Sequence, residues 1–178
     1  METNIQTTID QANQAYQQGD LQLAAEFFSR AADLYQEQGD ELSAAEMRNN
    51  LSVALLRDGH YQAALEAAAQ TDLVFAQGGD RRRQAIALSN QAAALDSLGD
   101  LGQALELYQI SAGLFKELGE EEMLAMVLQN ISTLQLRTGK QLQAVATMSS
   151  ALEHKPKLSF REKIIQKLLR TSTKKMNG

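Results

Sequence analysis

Three carboxamides stand forty residues apart: Asn50, Asn90 and Asn130. A carboxamide offers a donor and an acceptor together. A row of them suits the N–H and C=O groups of an extended peptide, largely regardless of its side chains. Asparagine is a mediocre helix former because its amide competes for backbone hydrogen bonds, so three in register inside helices need a reason. The alternative reason is packing, with each amide bonding the neighbouring helix and setting the spacing between repeats. Asn49 and Gln129 stand beside two of the three, and Arg57 and Arg137 follow two turns further along. Arginine is a forked donor suited to a ligand carboxylate, or equally to an ion pair within the chain. Arg83 closes the run Arg81, Arg82, Arg83 at a helix start, where positive charge opposes the helix dipole. Glu41, Glu121 and Glu122 hold the equivalent positions forty residues away, so pairing between adjacent repeats is expected, with an acidic partner as the alternative.

Other chemistry has little to work with. The two histidines, His60 and His154, are far apart in the chain, and cysteine is absent. No nucleophile motif, metal-ligand spacing or phosphate-cradling glycine loop is present. The expectation is a protein that is not an enzyme and uses no metal and no cofactor.

The elements that must position these residues are marked by glycine. Gly19, Gly39, Gly59, Gly79, Gly99, Gly119 and Gly139 recur every twenty residues, and Asp or Glu follows all but Gly59 and Gly139. Glycine past a helix end closes it in the left-handed conformation, and the Asp that follows caps the next helix. Alanine, Leu, Gln, Glu and Met are abundant and Pro156 is the single proline, a helical composition. Eight helices are therefore predicted, near 4–18, 21–38, 41–58, 61–78, 81–98, 101–118, 121–138 and 141–153. Turns this short force neighbours antiparallel. Alternate helices differ in character, so the true period is forty. Ala24, Ala64, Ala104 and Ala144 stand five residues after alternate glycines, and Ala12, Ser52, Ala92 and Ser132 seven before them. Side chains this small in register imply close helix–helix approach. A fixed period of this length signals a solenoid, in which each unit stacks on its neighbours.

The pattern resembles the tetratricopeptide repeat: a small residue, glycine seven on, then Leu21, Tyr61 or Leu101, and alanine three beyond that. Phe28 and Tyr108 stand where the family has an aromatic on the second helix, with Ala68 and Met148 as departures; Ala31, Thr71, Ser111 and Ala151 are its later small residues. The bulky aromatic usual near the start of the first helix is missing. A period of forty looks like the long-repeat variety of kinesin light chains and the LGN/Pins group, which also carry Asn on the first helix. The resemblance implies an all-α, right-handed α-α superhelix of four helix pairs, near 1–39, 40–79, 80–119 and 120–156, with a C-terminal capping helix. It further implies that the first helix of each pair lines a concave face, where Asn50, Asn90 and Asn130 bond a peptide main chain and Asn49, Gln129, Arg57, Arg137 and Arg83 surround it.

Beyond Pro156, over 157–178, Leu158, Phe160, Ile164, Ile165, Leu168 and Leu169 recur at helical spacing among Arg161, Lys163, Lys167 and Arg170. This reads as an amphipathic helix. A solenoid's last repeat has no neighbour to cover it, so capping is the expected role, with an anionic membrane or partner as the alternative. Thr171 to Gly178 is expected to be disordered. Residues 1–153 carry 9 Lys and Arg against 21 Asp and Glu, a net of −12, whereas 154–178 carry 8 against 1, a net of +7. A body this acidic repels phosphates, which argues against nucleic acid. No apolar run reaches the roughly 20 residues of a membrane span, and no signal peptide is seen, so a cytoplasmic protein without membrane insertion is expected. The resulting expectation is a protein–protein interaction scaffold, monomeric or weakly dimeric, that takes a partner peptide or helix. A self-associating assembly module and a sensor acting in trans are the alternatives.

Overall fold

The structure, a computed structural model, describes the backbone of residues 5–176 and the side chains of residues 5–168. Among the described residues every regular element is a helix: α1 (Ile5–Gln18), α2 (Leu21–Glu37), α3 (Glu41–Arg57), α4 (Tyr61–Ala68), α5 (Thr71–Gln77), α6 (Arg81–Leu98), α7 (Leu101–Leu118), α8 (Glu121–Arg137), α9 (Gln141–His154) and α10 (Phe160–Met176).

The expected punctuation is what ends and starts these helices. All seven twenty-residue glycines have φ between +70° and +89°, a conformation that L-residues with a Cβ adopt only under strain. After each, the next backbone N–H reaches five residues back to a carbonyl, at 2.8–3.0 Å, which is the Schellman closure. Asp20, Asp40, Asp80 and Asp100 then accept from the backbone N–H three residues on, at 3.2, 3.1, 2.9 and 3.1 Å. The Ser43 hydroxyl and N–H hold the Asp40 carboxyl below its ordinary pKa. Glu120 makes no such cap; its extra methylene moves the carboxylate off the Asp geometry.

Two compact units make up the chain, Met1–Leu107 and Tyr108–Gly178. In the first, α1 packs on α2, α2 on α3, α3 on α4, α5 and α6, and both α4 and α5 on α6. Its core is alanine-rich: Ala12, Ala24, Phe28, Ala31, Met47 and Ala54 are buried together, with Tyr16, Tyr35 and Leu55 partly buried against them. In the second, α8 packs on α9 and α9 on α10. The small-residue register holds across the chain. Ala24, Ala64, Ala104 and Ala144 are at most 1% exposed, as are Ala12, Ser52, Ala92 and Ser132.

The expected helix over 61–78 is instead two. Ala69 is extended and Gln70 has φ +62°, the one non-glycine residue with positive φ among those described. Ala68 stands where Phe28 and Tyr108 stand in other pairs, so the side chain that would space a continuous helix is missing. Tertiary bonds fix the break. The Ala68 carbonyl accepts from Thr71 Oγ1 at 2.8 Å and from Gln91 Nε2 at 3.0 Å, and Asp72 accepts from the same Gln91 amide at 2.7 Å. Beyond the break Phe75 is buried with Ala45 and Ala87.

The C-terminal helix is present and runs to Met176, so most of the segment expected to be disordered is helical. Asn177 and Gly178 lie outside the described residues, as do the side chains of Leu169 and Arg170.

Candidate functional site

On α3, Asn50, Val53 and Arg57 are three and four residues apart and share one side of the helix. On α1, Asn13 and Tyr16 share a side in the same way. These two sides meet over Phe28 of α2, and Asn13, Tyr16, Phe28, Asn50 and Val53 line an open hollow of about 230 Å³. Its floor is the buried Phe28, its walls are the half-buried Tyr16 and Val53, and carboxamides stand at its rim. The Arg57 guanidinium lies 4.6 Å from the centre of the Tyr16 ring, close enough for a cation–π contact. That contact holds an exposed cation beside an apolar hollow flanked by amide groups. Asn50 and Arg57, both singled out by the sequence, are brought together here. Asn13 and Tyr16 complete the hollow; the ring stack between helices has no sequence signature.

The other rungs behave differently. Asn49 is 5% exposed, and its side-chain oxygen faces Thr71 Oγ1 at 3.5 Å and accepts from Asn90 Nδ2 at 3.3 Å. It is therefore removed from any surface a peptide touches, which corrects the expectation for that residue. One residue along a helix is a 100° turn, enough to carry Asn49 inward while Asn50 stays at the surface. Asn90 is half-buried, with one of its two N–H donors committed to Asn49; in this rung the ladder bonds helix to helix. Arg83 pairs with Glu46 of α3 at 3.2 Å and with Asp80 at 3.6 Å, and lies 6.0 Å from the Phe75 ring. A pairing between adjacent repeats is thus present for Arg83, through Glu46. In the second unit Asn130 and Arg137 are exposed and Gln129 is half-buried.

A second hollow, of about 370 Å³, opens where α4 breaks, with Asp33, Arg48, Leu51, Glu66, Ala69 and Gln70 in its lining. Arg48 donates there to Gln36. His60 pairs with Asp58 at 3.2 Å, and His154 with Glu121. Among the described residues no three His, Asp or Glu side chains are grouped to hold a metal ion.

No protein-family model matches the sequence, and no curated protein does. Among solved structures, the crystal structure of BtubC (BKLC) from P. vanneervenii is similar at a TM-score of 0.62 and 18% identity, covering 97% of this chain and 85% of that one. The likeness is one of fold, a helical-repeat architecture.

Proposed function

We propose that this chain is a tetratricopeptide-type repeat protein whose function is to bind an extended peptide across α1 and α3, the first helices of its first two pairs. The observation that carries the reading is the hollow between α1, α2 and α3. A side chain entering it meets Phe28, Tyr16 and Val53, while Asn50 and Asn13 at its rim offer paired donor and acceptor groups to the main chain. Arg57, held over Tyr16, selects a carboxylate next to that side chain. Asn130 and Arg137, exposed on α8, repeat the chemistry in the second unit. Asn49 and Asn90 serve packing.

Random peptides displayed on phage and selected on the full chain test this whatever the natural partner is. Selected peptides are expected to share an apolar residue beside an acidic one. Their affinity for Asn50→Ala, measured by fluorescence anisotropy, is expected to fall by roughly 5- to 100-fold, the equivalent of about 1–3 kcal/mol of lost hydrogen bonding. Peptides that bind Asn50→Ala and Arg57→Ala as tightly as the parent chain would move the working surface elsewhere.

A further inference from the structure

α10 is amphipathic, and Phe160, Ile164 and Leu168 on one of its sides are exposed. Its start is fixed by a reciprocal capping box: the Ser159 N–H donates to Glu162 Oε2 at 2.8 Å, and the Glu162 N–H to Ser159 Oγ at 3.3 Å. Lys155 Nζ donates to Glu162 Oε1 at 2.5 Å, and Gln166 Nε2 donates to the Leu152 carbonyl at 3.3 Å. Glu162 and Gln166 are four apart and form one row along the helix, and this polar row is the seat toward α9.

At 100° per residue, the side diametrically opposite that seat belongs to Ile164. Phe160, Ile164 and Leu168 make a continuous row there, 79%, 46% and 61% exposed. Lys163 and Lys167 flank the row on one side, Arg161 and the exposed Ile165 on the other. Among the described residues the order around the helix is thus polar seat, lysines, apolar row, then Arg161 with Ile165.

Whatever covers this row must be apolar at its centre and negatively charged along both flanks. We propose that α10 is an interfacial docking helix that lies on an anionic lipid bilayer. Phe160, Ile164 and Leu168 enter the acyl boundary, while Lys163, Lys167 and Arg161 extend to the headgroup phosphates. Charge confines the contact to this end of the chain. Residues 154–178 carry a net of +7 and residues 1–153 a net of −12, so an anionic surface attracts the first segment and repels the second. Among the described residues no helix is long and apolar enough to cross a membrane, and none is needed for attachment of this kind.

The test uses the full chain and extruded vesicles of phosphatidylcholine, alone or with about 30% phosphatidylglycerol to supply negative charge. The chain has no tryptophan, so Phe160→Trp places a single indole reporter, excited selectively above the tyrosine absorption, in the apolar row. Sedimentation with anionic vesicles, none with phosphatidylcholine alone, and a blue shift of the indole emission on binding are expected. Lys163→Gln with Lys167→Gln is expected to lower partitioning by on the order of 25-fold, about fivefold per charge. Phe160→Ser with Ile164→Ser is expected to abolish the binding. These side chains are exposed, so circular dichroism of both double variants should match the parent chain. The proposal is overturned by no sedimentation with either vesicle; by sedimentation that the apolar double variant retains; or, without lipid, by a dimer in light scattering that the apolar variant turns into a monomer, which assigns the row to a second copy of the chain. Binding of polyglutamate as tightly as vesicles, with no blue shift, would equally overturn it in favour of an acidic polypeptide.

Discussion

Ser52 and Ser132 occupy the same place in two pairs eighty residues apart, and both are 1% exposed. Their hydroxyls fare differently. Ser132 Oγ donates to the Ala144 carbonyl at 2.8 Å, whereas Ser52 Oγ is buried with no hydrogen-bond partner in the protein. Replacing each by alanine therefore gives opposite outcomes. Ser132→Ala loses a hydrogen bond worth about 1 kcal/mol net. Ser52→Ala removes a hydroxyl whose desolvation is uncompensated, a gain of roughly 1 kcal/mol or more. Alanine's better helix propensity adds about 0.5 kcal/mol at both sites, so it cancels when the two variants are compared. The expected separation is about 2 kcal/mol, with Ser52→Ala above the parent chain and Ser132→Ala slightly below it. In urea, with a slope of about 2 kcal/mol/M, the two midpoints should differ by about 1 M. Equal slopes are the condition for reading the midpoints as stability. Coincident midpoints, or a Ser52→Ala chain weaker than the parent, would contradict this account: the hydroxyl at 52 would have to be satisfied after all.

Ala104→Leu should overpack a site with no exposed surface and lower stability by roughly 1–3 kcal/mol in the same assay. Gln70→Gly should raise it by up to about 1 kcal/mol, since an exposed residue leaves a strained left-handed conformation that glycine adopts freely; a loss would mean that the Gln70 side chain holds the break. Asp80→Ala removes both the cap on α6 and a partner of Arg83, and thermal unfolding should register a loss of about 1 kcal/mol. The seat of α10 depends on acid. Lys155 first, then the Ser159 N–H and hydroxyl, hold the Glu162 carboxyl down to about 2 from an ordinary 4.5. A depressed carboxylate stabilises the folded arrangement above its unfolded pKa and loses that contribution as pH falls. The protection of α10 amides relative to their intrinsic exchange at each pH should therefore be constant above about pH 5 and fall between about pH 4.5 and 2; protection that persists to the lower limit would show the seat to be held by other contacts.

The helix boundaries were legible because their causes are local. Gly19 to Gly139 fix where chains of carbonyls must close, and Asp20, Asp40, Asp80 and Asp100 fix where the next helix opens. The break at Ala69–Gln70 was not legible, since no Gly or Pro marks it. It follows from a missing aromatic at Ala68 together with bonds from Thr71 and Gln91, and Gln91 belongs to another helix. At the candidate site Asn50 and Arg57 emerge from helical spacing alone. Asn49 does not follow, because a single residue's rotation decides between surface and interior, and the side chains that claim its oxygen come from α5 and α6. The direction in which α10 faces was equally hidden. The sequence defines two sides of that helix, but Lys155 and Leu152 choose which one is turned inward.

Every twenty-residue turn satisfies its own backbone. Carbonyls left by one helix are taken by the N–H groups of the glycine and of the residue after it, and four of the following helices take their caps from the turn itself. The turns at Gly39 and Gly79, each followed by a capping Asp, are therefore interchangeable as splice points. A forty-residue block lifted out between them leaves behind one complete turn, and a block pasted in restores two. Copying or deleting such a block asks nothing new of the junction chemistry. For a lineage, array length is then a quantity that can be edited in whole steps, while the small residues at the inner register remain the part of the seam that must match.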